Sequence, residues 1–331
     1  MDVGKLPPDL LARYVLGRLG APADALAAPP APGHDACALD LGDRFLVIAS
    51  DPALGVSLDH LGYLAVHYSA SDVAVFGATP QYLVSDILLP PESDVAVLDT
   101  ITSQMDTACR DLGISIIGGH SGVYPALAEP VVVTTVLGFT ERLLSPANIR
   151  PGMHILLIKG LGGETACHLA LSRQESIESV LGTERAGILR GTVREATCVA
   201  EAHLLGPWAV CMHDLTEGGL FGALDEMRVA TGLGADLQEG ALIVDPDVAK
   251  VLGAFNIDPC TTSSTGALIA FCTADDATDA KEALAERGIR SADIGLVTRG
   301  PVRVVGADGS TSEALAGTDG YSAHTDPPSR S

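Results

Sequence analysis

Three aspartates at the edges of apolar segments are the residues of this chain best suited to metal-assisted chemistry. They lie in Gly33-His34-Asp35-Ala36, Ala49-Ser50-Asp51-Pro52 and Ser69-Ala70-Ser71-Asp72. Carboxylates in poorly solvated positions repel one another if they converge, and a cation relieves that repulsion. The alternative for each residue alone is a turn or a helix cap. Taken together, Asp35, Asp51 and Asp72 are predicted to bind a divalent metal that holds a polyphosphate.

A pair of glycines follows the apolar segment 114–117, in the sequence Gly118-Gly119-His120-Ser121-Gly122. Glycines after a strand let backbone N–H groups approach phosphate oxygens closely, so Gly118 and Gly119 are candidate cofactor-binding residues. His120 is a candidate catalytic residue, as a ligand, a proton donor or a stabiliser of the transition state. A glycine turn whose histidine caps a backbone carbonyl is the alternative.

A second glycine-rich segment, Lys159-Gly160-Leu161-Gly162-Gly163-Glu164-Thr165, connects a predicted strand to a predicted helix. A lysine with glycines at such a junction suits an anion site, so Lys159, Gly162 and Gly163 are candidate cofactor-binding residues. The segment is not a Walker A loop, because the lysine precedes the glycines. It also lacks the glycine spacing of a dinucleotide-binding loop.

The segment His213-Asp214-Leu215-Thr216-Glu217-Gly218-Gly219-Leu220 is the most distinctive in the chain. It ends one predicted strand and begins a helix, so Asp214 and Glu217 are candidate catalytic residues and Gly218 and Gly219 candidate cofactor-binding residues. Plain helix capping by the two acids is the alternative. The hydroxyl-rich turn Ser263-Ser264-Thr265-Gly266 either lines a pocket for a second substrate or is an ordinary loop.

Composition limits the possible functions. The chain has 331 residues, of which 47% are hydrophobic, and a net charge of −22. That charge argues against nucleic-acid partners and anionic membranes, which require basic patches. The 7 cysteines are not arranged in C-x-x-C pairs, so we expect buried thiols in a reducing cytosol. No targeting or membrane-spanning segment is evident, and we expect a cytoplasmic protein.

The pattern of apolar segments predicts two α+β domains. Residues 1–32 are predicted to form a helix (8–19) and an Ala/Pro linker, 33–145 a first domain, 150–305 a second domain, and 306–331 a flexible tail. In the first domain we predict strands at 44–50, 82–89, 114–117 and 130–139, and helices at 58–76 and 94–112. In the second domain we predict strands near 155–159, 209–212, 241–244, 267–272 and 294–297.

In order, these motifs resemble the aminoimidazole ribonucleotide (AIR) synthase superfamily, which includes thiamine-monophosphate kinase, selenophosphate synthetase and the hydrogenase maturation factor HypE. The resemblance rests on G-x-D-A, S-D-V-A-V-F-G-A-T-P, G-G-H-S-G-V and H-D-L-T-E-G-G-L, and K-G-L-G-G-E-T is most similar to the HypE and AIR synthase-related branch. It implies a two-domain PurM-like fold, with the N-terminal sheet forming a dimeric barrel and a C-terminal α/β sandwich.

The resemblance also implies a function. ATP and Mg²⁺ would lie in a cleft between the domains, with Asp35, Asp51 and Asp72 on the metal, Gly118, Gly119 and His120 beside the phosphates, and Asp214 and Glu217 from the second domain. The protein would be a homodimeric enzyme that phosphorylates an oxygen of a small or protein-borne acceptor. A thiamine-monophosphate-kinase-like phosphotransferase and a non-catalytic ATP-binding scaffold are the alternatives.

Some residues depart from the family pattern. His34 occupies a position where many relatives carry an acid, and His120 one where others carry Asp or Glu. HypE carries its carbamoyl group on a cysteine near the C-terminus, whereas no cysteine follows Cys272 here. We therefore do not expect dehydration of a carbamoyl group carried by the chain itself.

Overall fold

The computed structural model describes residues 5–6, 10–315 and 319, and contains two β-sheets. The first sheet has 6 strands in the order β1-β2-β3-β6-β4-β5. Only the edge pair β4–β5 is parallel. The strands are β1 (Leu26–Ala28), β2 (Cys37–Asp40), β3 (Phe45–Ala53), β4 (Thr79–Leu89), β5 (Ser115–Val123) and β6 (Val131–Thr140).

Two helices, α1 (Leu61–Val75) and α2 (Val95–Leu112), belong to this first domain. Helix α1 is buried on nearly every side, and its small residues let it approach the sheet closely. The Ser69 hydroxyl, for example, donates to the backbone oxygen of Thr134 on β6 at 2.9 Å. Helix α1 also contacts the second domain, so it is shared between the two domains.

The second domain is built on a sheet of 7 strands in the order β13-β12-β9-β11-β7-β10-β8. The strands are β7 (His154–Ile158), β8 (Cys211–Asp214), β9 (Gly234–Gln238), β10 (Leu268–Cys272), β11 (Ser291–Thr298), β12 (Arg303–Val305) and β13 (Thr311–Glu313). The helices are α3 (Gly163–Ser172), α4 (Gln174–Leu181), α5 (Thr183–Gly191), α6 (Val199–Leu205), α7 (Gly219–Thr231), α8 (Pro246–Ala254) and α9 (Ala274–Glu286).

One hydrophobic core extends from the first domain into the second, because α1 packs against α6 and β8. Strand β10 is buried along its whole length, as its uninterrupted apolar sequence requires for a central strand. In the described part of the chain, no helix has the length and hydrophobicity needed to cross a bilayer.

Several predicted elements differ from those observed. The predicted linker contains β1, and β2 was not predicted. The predicted helix at 8–19 is a short π-helix at Leu11–Leu16, with residues 7–9 outside the described part. The predicted strand at 241–244 is not formed; the Ile243 carbonyl accepts from the Leu161 N–H at 2.9 Å, and the strand of this region is β9.

The flexible tail predicted for 306–331 begins too early. Strand β13 lies within it and pairs with β12. Asp319, which is buried, accepts hydrogen bonds from the backbone N–H of Gly218 and the hydroxyl of Thr262. Residues 316–318 and 320–331 lie outside the described part.

Candidate active site

The three predicted aspartates converge at the junction of the two domains. Asp35 lies in the turn before β2, Asp51 on β3 and Asp72 on α1. Asp214, at the end of β8, joins them from the second domain. Asp51, Asp214 and Asp35 all lie close enough to Asp72 to raise its pKa. We refer to these four residues as the acid cluster.

Close packing of α1 on the sheet produces this convergence. Ser69 accepts a hydrogen bond from the backbone N–H of Asp51 at 3.2 Å, and its own hydroxyl donates to Thr134 on β6. A larger side chain at position 69 would push α1 away from β3. Asp72 lies three residues further along the helix, which brings its carboxyl group to that of Asp51.

Burial disfavours the ionised form of the carboxyl groups in the acid cluster. Loss of water raises the pKa of Asp72 well above its ordinary value, and repulsion by Asp51 and Asp214 adds to the effect. Burial, followed by repulsion from Asp35, raises the pKa of Asp214 to about 8. The Oδ2 atom of Asp35 is buried and has no hydrogen-bond partner in the described structure. A buried, unpartnered carboxylate oxygen beside other acids is a fitting ligand for a divalent cation.

His213 supplies positive charge to the acid cluster. Its Nε2 lies 3.3 Å from Asp35 Oδ1 and 3.2 Å from Glu226 Oε2, and its Nδ1 lies 2.7 Å from the backbone oxygen of Asp214. Burial lowers the pKa of His213, but Asp35 and Glu226 outweigh burial and raise it to about 10. Ligand atoms of Asp35, His213 and Asp214 lie within 4.8 Å of one another.

Sequence reasoning did not identify His213, Glu226 or Lys5 as part of this site. His213 could have been found, because it precedes Asp214 in a polar segment that follows a strand. Glu226 lies on α7 and Lys5 near the N-terminus, and neither has a local signal. The ammonium group of Lys5 lies 3.2 Å from Glu226 Oε1, and its backbone N–H donates to Glu217 at 2.7 Å.

Glu217, Gly218 and Gly219 lie at the start of α7, next to Asp214. The carboxylate of Glu217 accepts from Lys5, and the N–H of Gly218 donates to Asp319 at 3.0 Å. Gly219 has φ of +59°, and a Cβ there would lie 2.6 Å from the Thr262 oxygen. The conformation of this turn therefore accounts for Gly219 without a ligand.

The candidate residues of the second glycine-rich segment, Lys159, Gly162 and Gly163, also have roles within the fold. The ammonium group of Lys159 donates to the Thr197 carbonyl at 2.6 Å and lies 3.1 Å from Glu201 Oε1. The N–H of Gly162 donates to the Ser264 hydroxyl at 2.6 Å, and Gly163 begins α3. Lys159 and Gly163 line a cavity between the domains.

Gly118, Gly119 and His120 are not in a loop but inside β5, at the edge of the first sheet. Asp51 on β3 and Gly119 on β5 belong to one cross-strand row, separated by β6 and β4. Three inter-strand spacings amount to about 14 Å. Within one chain, the structure therefore does not bring His120 to the acid cluster. Its Nε2 lies 2.6 Å from the Tyr124 hydroxyl.

The contacts of His34, where many relatives carry an acid, are with Pro29 and Phe76. Its Nδ1 lies 2.7 Å from the carbonyl oxygen of Pro29, and its ring contacts Phe76 edge-on.

Comparison with known proteins agrees with this architecture. The models of the AIR synthase related protein family match over residues 33–140 (N-terminal domain) and 150–307 (C-terminal domain). Hydrogenase expression/formation protein HupE of Azotobacter chroococcum mcd 1 is 30% identical over 275 residues, which are 80% of this chain and 79% of that protein. Carbamoyl dehydratase HypE of Azotobacter vinelandii is 32% identical over 251 residues, 74% of this chain and 72% of that protein.

The fold is shared with a solved structure of the hydrogenase maturation protein HypE in complex with ATP. The TM-score is 0.68 at 21% identity, and the match covers 94% of each chain. With both domain models matched in order and the relatives aligned across both domains, the chain belongs to the AIR synthase related family, in its HypE-related branch.

Proposed function

We propose that this protein is a Mg²⁺- and ATP-dependent enzyme that phosphorylates an oxygen atom of an acceptor. One observation carries the proposal: four aspartates from both domains converge in a partly buried site, where the Oδ2 atom of Asp35 has no hydrogen-bond partner among the described residues. Such an arrangement is unfavourable without a cation, so the fold maintains it at a cost in stability. An ATP complex of a protein with this fold supports the choice of nucleotide.

The residues of the acid cluster divide the work between them. Asp35, Asp51, Asp72 and Asp214 would hold magnesium, which would neutralise charge on the triphosphate and on the transferred phosphoryl group. His213 and Glu226 fix the orientation of Asp35 from the second domain. Asp214 is buried and the other three aspartates are half-buried, so the low accessibility of the site strengthens each electrostatic interaction there.

The cysteines of this chain do not favour a thiol-borne acceptor. Six of them are buried, and Cys37 is half-buried. Burial raises the pKa of Cys109 to about 11 and that of Cys260 and Cys272 to about 12. The thiolate is the nucleophilic form, so these thiols are poorly suited to carry a reacting group. The relative named carbamoyl dehydratase supports ATP-dependent activation but does not define the acceptor of this chain.

The proposal includes a homodimer formed through the first sheet. Strand β5 is an edge strand whose side chains are exposed, including Ile116, Ile117 and Val123. An exposed apolar edge strand is a template for pairing with another chain. Pairing of two such sheets would also offer His120 a site on the other subunit.

The test is to substitute Asp72→Asn and measure binding of Mg-AMPPNP and Mg²⁺-dependent release of phosphate from ATP. Exposed Asp86→Asn on β4 is the matched control. We expect Asp72→Asn to weaken nucleotide binding at least tenfold and Asp86→Asn to leave it unchanged. Equal affinity of Asp72→Asn and wild type contradicts the metal assignment. Tight ATP binding with no turnover by the wild type, across acceptors tried, favours the scaffold alternative.

A further inference from the structure

A cavity of about 340 Å³ lies between the two domains, next to the acid cluster but separate from its residues. Its first-domain wall is the N-terminal half of α1, and its second-domain wall includes α3, α5 and the turn 264–267. A volume of this size suits a small organic molecule. None of the four aspartates of the acid cluster lines it.

Part of the cavity wall is apolar, formed by Leu64, Leu171, Ile188, Leu189, Val193 and Val248. The lysine and the two arginines of the wall have acidic partners. Lys159 pairs with Glu201, Arg185 with Asp247, and Arg290 with Asp245. Among the described residues, the wall therefore offers a bound anion no lysine or arginine that lacks a counter-charge.

Glu164, another acid of the cavity wall, accepts hydrogen bonds instead of pairing with a lysine or arginine. Its donors in the described structure are the hydroxyls of Tyr68, Ser263 and Thr265 and the backbone N–H of Thr265, all of them neutral. The donors from the 263–265 turn bind Oε2, whereas Oε1 accepts from Tyr68 at 3.0 Å. A carboxylate oxygen has two acceptor sites, so Oε1 retains one for a ligand. His168 also lines the cavity and interacts with the charge of Glu164, but burial lowers the pKa of His168. Among the described residues, Glu164 has no lysine or arginine as a partner.

A histidine also forms part of the cavity wall. His60, at the N-terminal end of α1, lines the wall, but its Nδ1 is enclosed by protein, without a hydrogen-bond partner in the described structure. A ligand in the cavity therefore does not reach this atom. A molecule with an apolar body and a polar group that faces Glu164 would match the wall.

Helix α1 connects this cavity to the acid cluster. Tyr68 lines the cavity and binds Glu164, and Asp72 belongs to the acid cluster. They are four residues apart on one helix, so they lie on the same face about 6 Å apart along the axis. A molecule held against Glu164 and Tyr68 is thus a near neighbour of whatever the acid cluster binds.

We propose that this cavity binds the acceptor, and that the acceptor is a small organic cation with an apolar body and a hydroxyl group, held by a cationic N–H group on Glu164. Its role as acceptor rests on the phosphoryl transfer proposed above; its binding does not. In the transfer, the hydroxyl oxygen forms a bond to the γ-phosphorus as the bond to the β–γ bridging oxygen breaks. ADP leaves, and the hydroxyl proton passes to solvent.

Three probes of nearly equal shape test the charge preference: benzylamine, benzyl alcohol and benzoate. Their affinities are measured by ligand-observed NMR on the wild-type protein without nucleotide. We expect benzylamine to bind about tenfold more tightly than benzyl alcohol, since a charge-assisted hydrogen bond replaces a neutral one, and benzoate to bind most weakly. Equal binding of the three, or preference for benzoate, overturns the proposal.

Glu164→Gln keeps the shape of the side chain and removes its charge. We expect it to lose about tenfold in benzylamine affinity, as a charged partner is exchanged for a neutral amide. Glu195→Gln is the matched control, because Glu195 also lines the cavity but is exposed at its rim. It should change the affinity less than twofold. If Glu164→Gln does not fold, the ranking of the three probes on the wild type still decides the question.

Competition with nucleotide tests whether the cavity binds the acceptor or the base of the nucleotide. We expect benzylamine to bind equally well with and without saturating Mg-AMPPNP, and Glu164→Gln to bind Mg-AMPPNP like the wild type. Displacement of benzylamine by Mg-AMPPNP would show that the cavity belongs to the nucleotide site and would overturn the assignment. Because the probe experiment needs no ATP, it can succeed even if the phosphoryl transfer is disproved.

Discussion

The carboxyl group of Asp51 on β3 lies close to that of Asp72 on α1, and burial together with the charge of Asp51 favours a proton on Asp72. Bound magnesium would displace that proton and the one that burial and Asp35 favour on Asp214, whose pKa is about 8. We therefore expect Mg²⁺ affinity to rise between pH 6 and 8.5, by up to about tenfold per pH unit for each proton released.

Isothermal titration calorimetry in two buffers of different ionisation enthalpy measures the protons released directly. Asp72→Asn should release fewer protons than the exposed control Asp86→Asn, if it binds magnesium at all. Binding that is independent of pH over this range would contradict protonated carboxyl groups at the free site.

The two adjacent glycines of β5 differ in their surroundings, and this difference predicts opposite outcomes. Gly119 has φ of +148°, and a Cβ there would lie 1.9 Å from the backbone oxygen of Ser85 on β4, whereas a Cβ at Gly118 would meet nothing within 4 Å. We expect Gly119→Ala to lower the free energy of unfolding by about 2 kcal/mol or more, because it separates β5 from β4. Urea denaturation measures this.

Gly118→Ala is the matched control for Gly119→Ala. It should change the free energy of unfolding by less than about 0.5 kcal/mol. A small increase also agrees with the prediction, because alanine loses less backbone entropy than glycine when a strand forms. Equal effects of the two substitutions would contradict the contact with Ser85 as the reason that position 119 requires glycine.

Much of the candidate site could be predicted from local sequence, and the reason is geometric. Asp51, Asp72 and Asp214 each lie within an apolar element or at its end, so a correct assignment of strands and helices places them at the domain junction. Gly118 and Gly119 were misplaced because glycines favour turns, and the parallel pairing that extends β5 through them is a tertiary effect. Lys5 and Glu226 reach the site only through long-range packing, which no local pattern encodes.

The second-domain turn Ser263–Gly266 was only partly predictable from the sequence. Its hydroxyl groups indicated a polar pocket, and two of them do contact Glu164 in the wall of the interdomain cavity. The identity of their partner was not predictable, because Glu164 lies 99 and 101 residues away from Ser263 and Thr265. The sequence of the glycine-rich segment that contains Glu164 predicts only an anion site.

His67 makes stability depend on pH. Burial, together with the charges of Arg194 and Lys159, lowers the pKa of His67 to about 4, and its Nδ1 lacks a hydrogen-bond partner in the described structure. In the unfolded chain the pKa is about 6.5, so protons bind preferentially to the unfolded state between these values. The contribution is complete above pH 6.5 and is lost as the pH falls towards 4, by up to about 3 kcal/mol.

Urea denaturation at pH 7.0, 5.5 and 4.5 measures this dependence. His67→Gln should show a smaller loss of stability on acidification than the wild type, since glutamine does not titrate. His120→Gln, at an exposed position on β5, should retain the wild-type dependence. If His67→Gln loses as much stability as the wild type, other groups account for the acid sensitivity.

The edge strand β5 predicts how the chain associates. Ile117 is 58% exposed on this strand, and the unpaired backbone groups of an edge strand favour pairing with a second copy. In a twofold dimer, Ile117→Lys buries one charge from each subunit in the same interface, so the cost to association is counted twice.

We expect the Ile117→Lys variant to sediment as a monomer at micromolar concentration, where the wild type sediments as a dimer. Val95→Lys, at a residue 79% exposed on α2, should remain dimeric. If His120 acts on the partner subunit, Ile117→Lys should also lose ATP turnover while keeping its affinity for magnesium. A monomeric wild type, or a dimeric Ile117→Lys, would exclude β5 as the interface.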